Sequence, residues 1–102
     1  MNEVGRTEHD QGVVQLTLQS GSGNPMGEST LHALHGQLDT LADARALVFD
    51  GGGGKLFSGG FNLPEIVHFE RSKLAGFFGH FMDLLDRIMR LKCPSIVAIH
   101  SH

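Results

Sequence analysis

The segment with the clearest chemical pattern is the glycine-rich stretch DGGGGKLFSGGFNL, residues 50–63, which holds six of the chain's fourteen glycines. It directly follows the short apolar run ALVF, which is typical of a buried strand. Glycine-rich loops after strands can bind phosphate groups or stabilise a developing oxyanion, because glycine lets a ligand approach the backbone closely. The sequence therefore offers two kinds of chemistry for this loop.

The phosphate-binding alternative fails on spacing. A P-loop follows the pattern G-x-x-x-x-G-K-[ST]. If Gly54 and Lys55 were its GK pair, Phe49 would stand at its first glycine and Leu56 at its magnesium-binding hydroxyl. The dinucleotide pattern G-x-G-x-x-G fails as well, because Leu56 also stands where its third glycine is needed. We therefore interpret residues 50–54 as a turn that leaves the strand.

The second half of the loop, residues 56–63, has the composition expected of an oxyanion site. Gly59 and Gly60 allow a backbone N–H group to point outward and a ligand to approach it. Backbone donors aimed at a developing negative charge form an oxyanion hole. The functional group predicted for this segment is therefore a backbone N–H.

The composition excludes several classes of function. At 102 residues the chain is one domain or part of one. The net charge of −3 and the lack of a basic cluster argue against nucleic-acid binding. The single cysteine, Cys93, cannot form an internal disulfide. No apolar run approaches the roughly 18 residues of a membrane helix, so we expect a cytoplasmic protein.

Hydrophobic spacing predicts an α/β fold with the element order β-β-α-β-loop-α-β. The predicted strands cover residues 3–8 as an edge, 12–18, 45–50 as a buried strand, and 95–99. The first predicted helix covers residues 27–43, and the second begins with Ser72 as its N-cap and ends before Pro94. The apolar run PSIVAIHSH stops almost at once, so we expect only part of a domain.

Three motifs resemble the crotonase (enoyl-CoA hydratase/isomerase) superfamily. They are VVQLTL with NPM, ALVFDGGGG with KLFSGGFNL, and CPSIVAIHSH. The resemblance runs from Val13 to His102, and FSGGFNL is its most specific part, similar to the enoyl-CoA isomerase branch. It implies a crotonase-like spiral of β-β-α units, of which residues 1–102 form an apparently truncated, N-terminal part of a single domain.

The resemblance also implies roles for particular residues. The backbone N–H of Phe61 would be the first oxyanion-hole donor and thus the catalytic group. The substrate would be a coenzyme A thioester, with no covalently bound cofactor and no metal, in a hydratase (a lyase) or isomerase of fatty acid metabolism. The residues that would contact this substrate are Ser22 near the nucleotide, and Gly59, Gly60, Phe61, Asn62 and Leu63 along the acyl-thioester path.

The chain departs from the family pattern in three ways. Ser101 stands where glycine is common, so we expect a less free backbone there. Asn62 stands where aspartate is usual, so we expect a salt bridge or helix cap to be lost. The family's second donor and its catalytic carboxylates lie beyond residue 102, so we expect the isolated chain to be inactive. Glu65 follows the loop closely, and it is either a solvated surface residue or, as the less favoured alternative, a catalytic acid.

The alternative function is that of a noncatalytic crotonase-like fragment acting as an interaction module. The edge of residues 95–99 and the apolar helix faces would drive association. The partner would be a complementary C-terminal fragment or further copies of the chain, as a trimer or hexamer by the resemblance. His32 with His35, and His100 with His102, are pairs that provide too few ligands for a metal site.

Overall fold

The structure, a computed structural model, describes residues 3–41 and 43–100. The element order agrees with the prediction, with one short helix, α2, added inside the loop after the third strand. The elements in chain order are β1 (Val4–Glu8), β2 (Val13–Leu18), α1 (Glu28–Leu38), β3 (Ala46–Asp50), α2 (Leu63–Ile66), α3 (Arg71–Met89) and β4 (Ser95–Ala98).

The four described strands form one sheet in the order β1-β2-β3-β4. A single 3-10 turn, Asp10–Gly12, joins β1 and β2, which pair antiparallel. The pairs β2–β3 and β3–β4 are parallel. Parallel neighbours require crossover connections, which α1 supplies for the first pair and α2 with α3 for the second. Both β2 and β3 therefore end at the same edge of the sheet.

The core lies between the sheet and α1. Leu31 and Leu47 are fully buried and Leu16 is 1% exposed. The buried stripe of α1 is the one that the leucine spacing predicts. The helix is shorter than the predicted 27–43, because it ends at Leu38. Leu41 lies beyond the helix in a turn but is still buried in the core. In β3, predicted as a buried strand, only Leu47 is fully covered.

The helix α3 is covered less completely than α1. Phe77 and Leu84 are buried, whereas Met82 and Met89 are 60% and 84% exposed. The N-cap predicted at Ser72 is wrong, since the helix begins at Arg71 with Glu70 as its cap residue. Glu70 has an extended backbone and its carbonyl accepts the N–H of Leu74, which starts the helix earlier.

A histidine pair joins α1 to α3. The His35 and His80 rings are stacked with centroids 4.0 Å apart. His35 Nε2 donates to the His80 carbonyl at 2.9 Å, so Nδ1 is left to accept from Arg87 at 3.1 Å. Arg87 also binds Asp39 at 2.7 Å. Burial, and then the neighbouring His35, lower the pKa of His80 from its ordinary value of 6.5.

The lowered pKa of His80 predicts a pH-dependent stability. Below pH 6.5 the unfolded chain binds a proton at His80 more readily than the folded chain does. The free energy of unfolding is therefore expected to fall as the pH drops from about 7 through the lowered pKa of the folded state. In His80→Gln this dependence should be weaker. Urea denaturation at about pH 7.5 and about pH 5.5 measures it.

His68→Gln is the matched control, because His68 is exposed and lies outside the histidine pair. An equal pH dependence in His80→Gln and in the unmodified chain would contradict the prediction.

Candidate functional site

Two glycine-rich loops meet at the edge of the sheet where β2 and β3 end. They line an open cleft of about 940 Å³, formed by residues 17–19 and 21–24 on one side and 51–56 on the other. The carboxyl ends of neighbouring parallel strands are a common place for a ligand, because the loops there converge. Ser22 lies in this cleft and is exposed.

The side chain of Asn24 connects the loops. It is 6% exposed. Its Nδ2 donates to the carbonyls of Gly51 at 2.7 Å and Phe57 at 3.0 Å, and its Oδ1 accepts the N–H of Ser20 at 3.1 Å. Its φ of 44° lies in the left-handed region that asparagine tolerates better than most residues. The Asn-Pro pair in the sequence indicates a turn, but no pattern there indicates these contacts.

Residues 50–54 form a turn out of β3, as predicted. Asp50 Oδ1 accepts the N–H of Gly52 at 2.9 Å, which closes the turn. A Cβ at Gly51 would lie 2.8 Å from the Cα of Phe57, so only glycine lets the two arms of the loop pack together.

The backbone N–H of Phe61 lacks a hydrogen-bond acceptor in the described part of the chain, whereas the N–H groups beside it are all bonded. Gly59 donates to Gly23 at 2.7 Å, Gly60 to Ser58 Oγ at 3.1 Å, and Asn62 to the Met26 carbonyl at 2.9 Å. Phe61 itself forms a parallel bridge with Met26. Because the flanking residues supply the hydrogen bonds of this bridge, the Phe61 N–H points away from Met26. Within residues 3–41 and 43–100 it has no acceptor.

The side chain of Phe61 is fixed by α3. Its ring makes edge-to-face contacts with Phe77, Phe78 and Phe81, with centroid distances of 5.7, 5.2 and 5.0 Å. Beside it lies a small cleft of about 280 Å³, lined by Met26, Ser58, Gly60, Phe61 and Phe81. Met26 and Phe81 also line an apolar cavity of about 320 Å³ under α3.

The structure places three of the predicted site residues in two clefts and the other three in neither. Gly60 and Phe61 line the small cleft and Ser22 lines the large one. Gly59, Asn62 and Leu63 line neither, although the Gly59 N–H joins the two loops through Gly23. Leu63 is 65% exposed at the start of α2.

Asn62 and Glu65 both act as helix caps. The expected loss of a cap at Asn62 is wrong, because Asn62 Oδ1 accepts the N–H of Glu65 at 3.3 Å and asparagine caps as well as aspartate does. Glu65 Oε2 accepts the N–H of Glu28 at 3.1 Å. The N-cap residue of α1 is Gly27, which has no side chain to do this. Glu65 therefore has a structural role that the sequence did not indicate.

The histidines form no metal site in the described part of the chain. Residues 3–41 and 43–100 contain no group of three or more histidine, cysteine, aspartate or glutamate side chains that could hold an ion. His100 Nε2 lies 3.5 Å from Asp50 Oδ2, while Ser101 and His102 fall outside the described residues. Over the same residues, none of the helices combines the length and the hydropathy of a membrane span.

The hydrogen bonds of Asn24 predict that replacing its amide with a carboxylate destabilises the chain more than the same replacement at Asn62. Asn24→Asp is expected to lower the free energy of unfolding by about 2 kcal/mol, because the new carboxylate would face two carbonyl oxygens without a proton to donate. Asn62→Asp is the matched control, since its oxygen can still accept from Glu65. Urea denaturation compares the two. An equal loss in both variants would contradict the assignment.

The chain was compared with protein-family models, curated proteins and solved structures. No protein-family model matches the chain, and no curated protein matches it either. Solved structures do. The enoyl-CoA hydratase of Mycobacterium smegmatis superimposes with a TM-score of 0.90 and 30% identity, over 97% of this chain and 40% of that one. The enoyl-CoA isomerase of Mtb gives 0.81 and 26%, over 96% and 42%.

A third structure, Pseudomonas aeruginosa DspI, matches with a TM-score of 0.89 at 21% identity, over 100% of this chain and 40% of that one, and shows the fold alone. The chain thus spans about 40% of the length of the structures it matches. The superpositions and the sequence identity lead to one conclusion. This chain has the α/β fold of the N-terminal portion of the crotonase (enoyl-CoA hydratase/isomerase) superfamily.

Proposed function

We propose that the chain binds an acyl-CoA thioester and stabilises the enolate oxygen formed from it, as part of an enoyl-CoA hydratase or isomerase. The observation that carries the proposal is the Phe61 N–H, which has no acceptor among the described residues while the N–H groups on both sides of it are bonded. Removal of a proton beside a thioester carbonyl gives an enolate, and a fixed N–H donor stabilises its negative oxygen.

The surroundings of Phe61 fit such a ligand. The small cleft beside Gly60 and Phe61 is mainly apolar, as an acyl chain requires. The larger cleft contains backbone groups of two glycine loops together with Lys55 and Ser22, which suit the polar nucleotide of coenzyme A. A second donor and the acid–base groups would come from polypeptide outside this chain, so the catalytic activity belongs to a whole protein.

A pair of substitutions tests the backbone donor. Phe61→Pro removes both the ring and the N–H, whereas Phe61→Ala removes only the ring. The probe is acetoacetyl-CoA, whose enolate form carries a negative oxygen, and coenzyme A alone is the reference ligand. The preference for acetoacetyl-CoA should survive in Phe61→Ala and fall about tenfold in Phe61→Pro. Isothermal titration calorimetry measures both affinities.

The proposal would be overturned by equal affinity of the unmodified chain for acetoacetyl-CoA and coenzyme A. It would be overturned equally by a preference that Phe61→Pro retains. Circular dichroism of both variants confirms that they are folded before the affinities are compared.

The same proposal predicts that the isolated chain does not turn over substrate. One donor without acid–base residues is insufficient for hydration or isomerisation. Purified chain incubated with crotonyl-CoA should leave its enoyl absorbance unchanged. Measurable hydration or isomerisation would show that acid–base groups are present in these 102 residues.

A second candidate is the noncatalytic interaction module. The observation that favours it is an exposed apolar surface on α3 and β4, in which Met82, Ile96 and Val97 are 60%, 57% and 51% exposed. Its partner would be the complementary C-terminal part of a crotonase fold. Size-exclusion chromatography with light scattering, with and without such a fragment, should show a complex that Met82→Asp weakens and that His68→Gln, at an exposed position outside this surface, does not.

A further inference from the structure

The hydroxyl of Ser58 makes two hydrogen bonds in the loop that carries Phe61. It donates to the carbonyl of Asn24 at 2.8 Å and accepts the N–H of Gly60 at 3.1 Å. A hydroxyl has one proton to donate and lone pairs to accept with, so one group can do both. Ser58 is half-buried, and these contacts connect residue 24 to residue 60.

The second of these bonds decides how many N–H groups the loop can offer to a ligand. Gly60 is exposed and has a φ of 98°, a conformation that glycine adopts without strain. Without Ser58 Oγ, the Gly60 N–H would have no acceptor among the described residues. The Gly60 N–H would then be unpaired beside that of Phe61, and a ligand oxygen, which has two lone pairs, could accept from either or both.

We propose that Ser58 is a positioning residue, whose hydroxyl occupies the Gly60 N–H so that Phe61 alone donates to the thioester oxygen of the ligand. This inference rests on the proposed function. The Asn24 carbonyl fixes the direction of the Ser58 proton, and Asn24 is itself buried and bonded to two other parts of the loop. The bridge to Met26 sets the direction of the Phe61 N–H, and Ser58, held by Asn24, removes the neighbouring Gly60 N–H as a donor.

The inference distinguishes a positioning role from a merely structural one. A structural serine would affect stability and all ligands alike. If serine has a positioning role, its removal changes which amide signal shifts when the thioester binds. Threonine keeps the hydroxyl and should therefore retain the original pattern of shifts. Ser72 provides a control, since it is an exposed serine on α3 away from the loop.

The experiment uses the full chain labelled with ¹⁵N and follows the amide signals of Gly60 and Phe61. Hydrogen exchange without ligand is expected to be several-fold faster at Gly60 in Ser58→Ala, and unchanged in Ser58→Thr and Ser72→Ala. On titration with acetoacetyl-CoA, the Phe61 amide should shift in the unmodified chain and in Ser58→Thr. In Ser58→Ala the shift should be shared between Phe61 and Gly60, because the Gly60 N–H is then free to donate to the same oxygen.

The outcomes separate the two proposals. Unchanged Gly60 exchange in Ser58→Ala would overturn the role of Ser58, whatever the ligand does. Faster Gly60 exchange without any ligand-induced shift of Gly60 would overturn it too. If Phe61 does not shift in the unmodified chain, the oxyanion function is wrong, and the Gly60 exchange rates still decide whether Ser58 holds that amide. If Ser58→Ala does not fold, Ser58→Thr decides. Because threonine keeps the hydroxyl, a ligand-induced shift at Gly60 as well as at Phe61 in Ser58→Thr would overturn the inference.

Discussion

The buried side chain of Asn24 is the constraint on which the geometry of the loops depends. The loops after β2 and β3 lack the ladder hydrogen bonds that hold the strands, so something else must satisfy their buried polar groups. Asn24 does this by donating to Gly51 and Phe57 and accepting from Ser20. A buried carbonyl or N–H left without its partner costs about 1–3 kcal/mol. The loops are therefore most stable in the one arrangement in which this amide reaches all of them.

Phe61 is fixed from two directions. Its backbone is held by the bridge to Met26, which follows the Asn24 turn in sequence. Its ring is held by the aromatic residues of α3, with the shortest centroid distance, 5.0 Å, to Phe81. The loops thus determine the direction of the N–H, and the helix determines how far the residue can move. Since α3 is attached to α1 through His35 and Arg87, the positions of both helices contribute to that of the donor.

The sequence predicts those parts of the fold that depend on burial alone. The leucine spacing of α1 and the apolar runs of β2 and β3 report which face is buried, and the structure confirms the order of these elements. The sequence does not predict the contacts that depend on distant partners. Glu65 caps α1 from 37 residues away, and Asn24 reaches Phe57 from 33 residues away. The predicted N-cap of α3 is wrong for a different reason, because Glu70 has the extended backbone of an N-cap residue but no side-chain capping bond that the sequence could have indicated.

In the candidate site, too, the sequence predicts the location of the loop but not the contacts that distant residues make with it. Glycine-rich composition marks the loop, but it cannot indicate which N–H remains unpaired, since Gly59, Gly60 and Asn62 are equally able to donate. The distinction arises because Gly23, Ser58 and Met26 supply acceptors for these three and none for Phe61. A backbone donor places little restriction on its own side chain, which here is a phenylalanine packed on a helix. The restriction falls instead on the residues that pair the neighbouring N–H groups, so the candidate site depends on Ser58, and on Asn24 which holds it, as much as on residue 61.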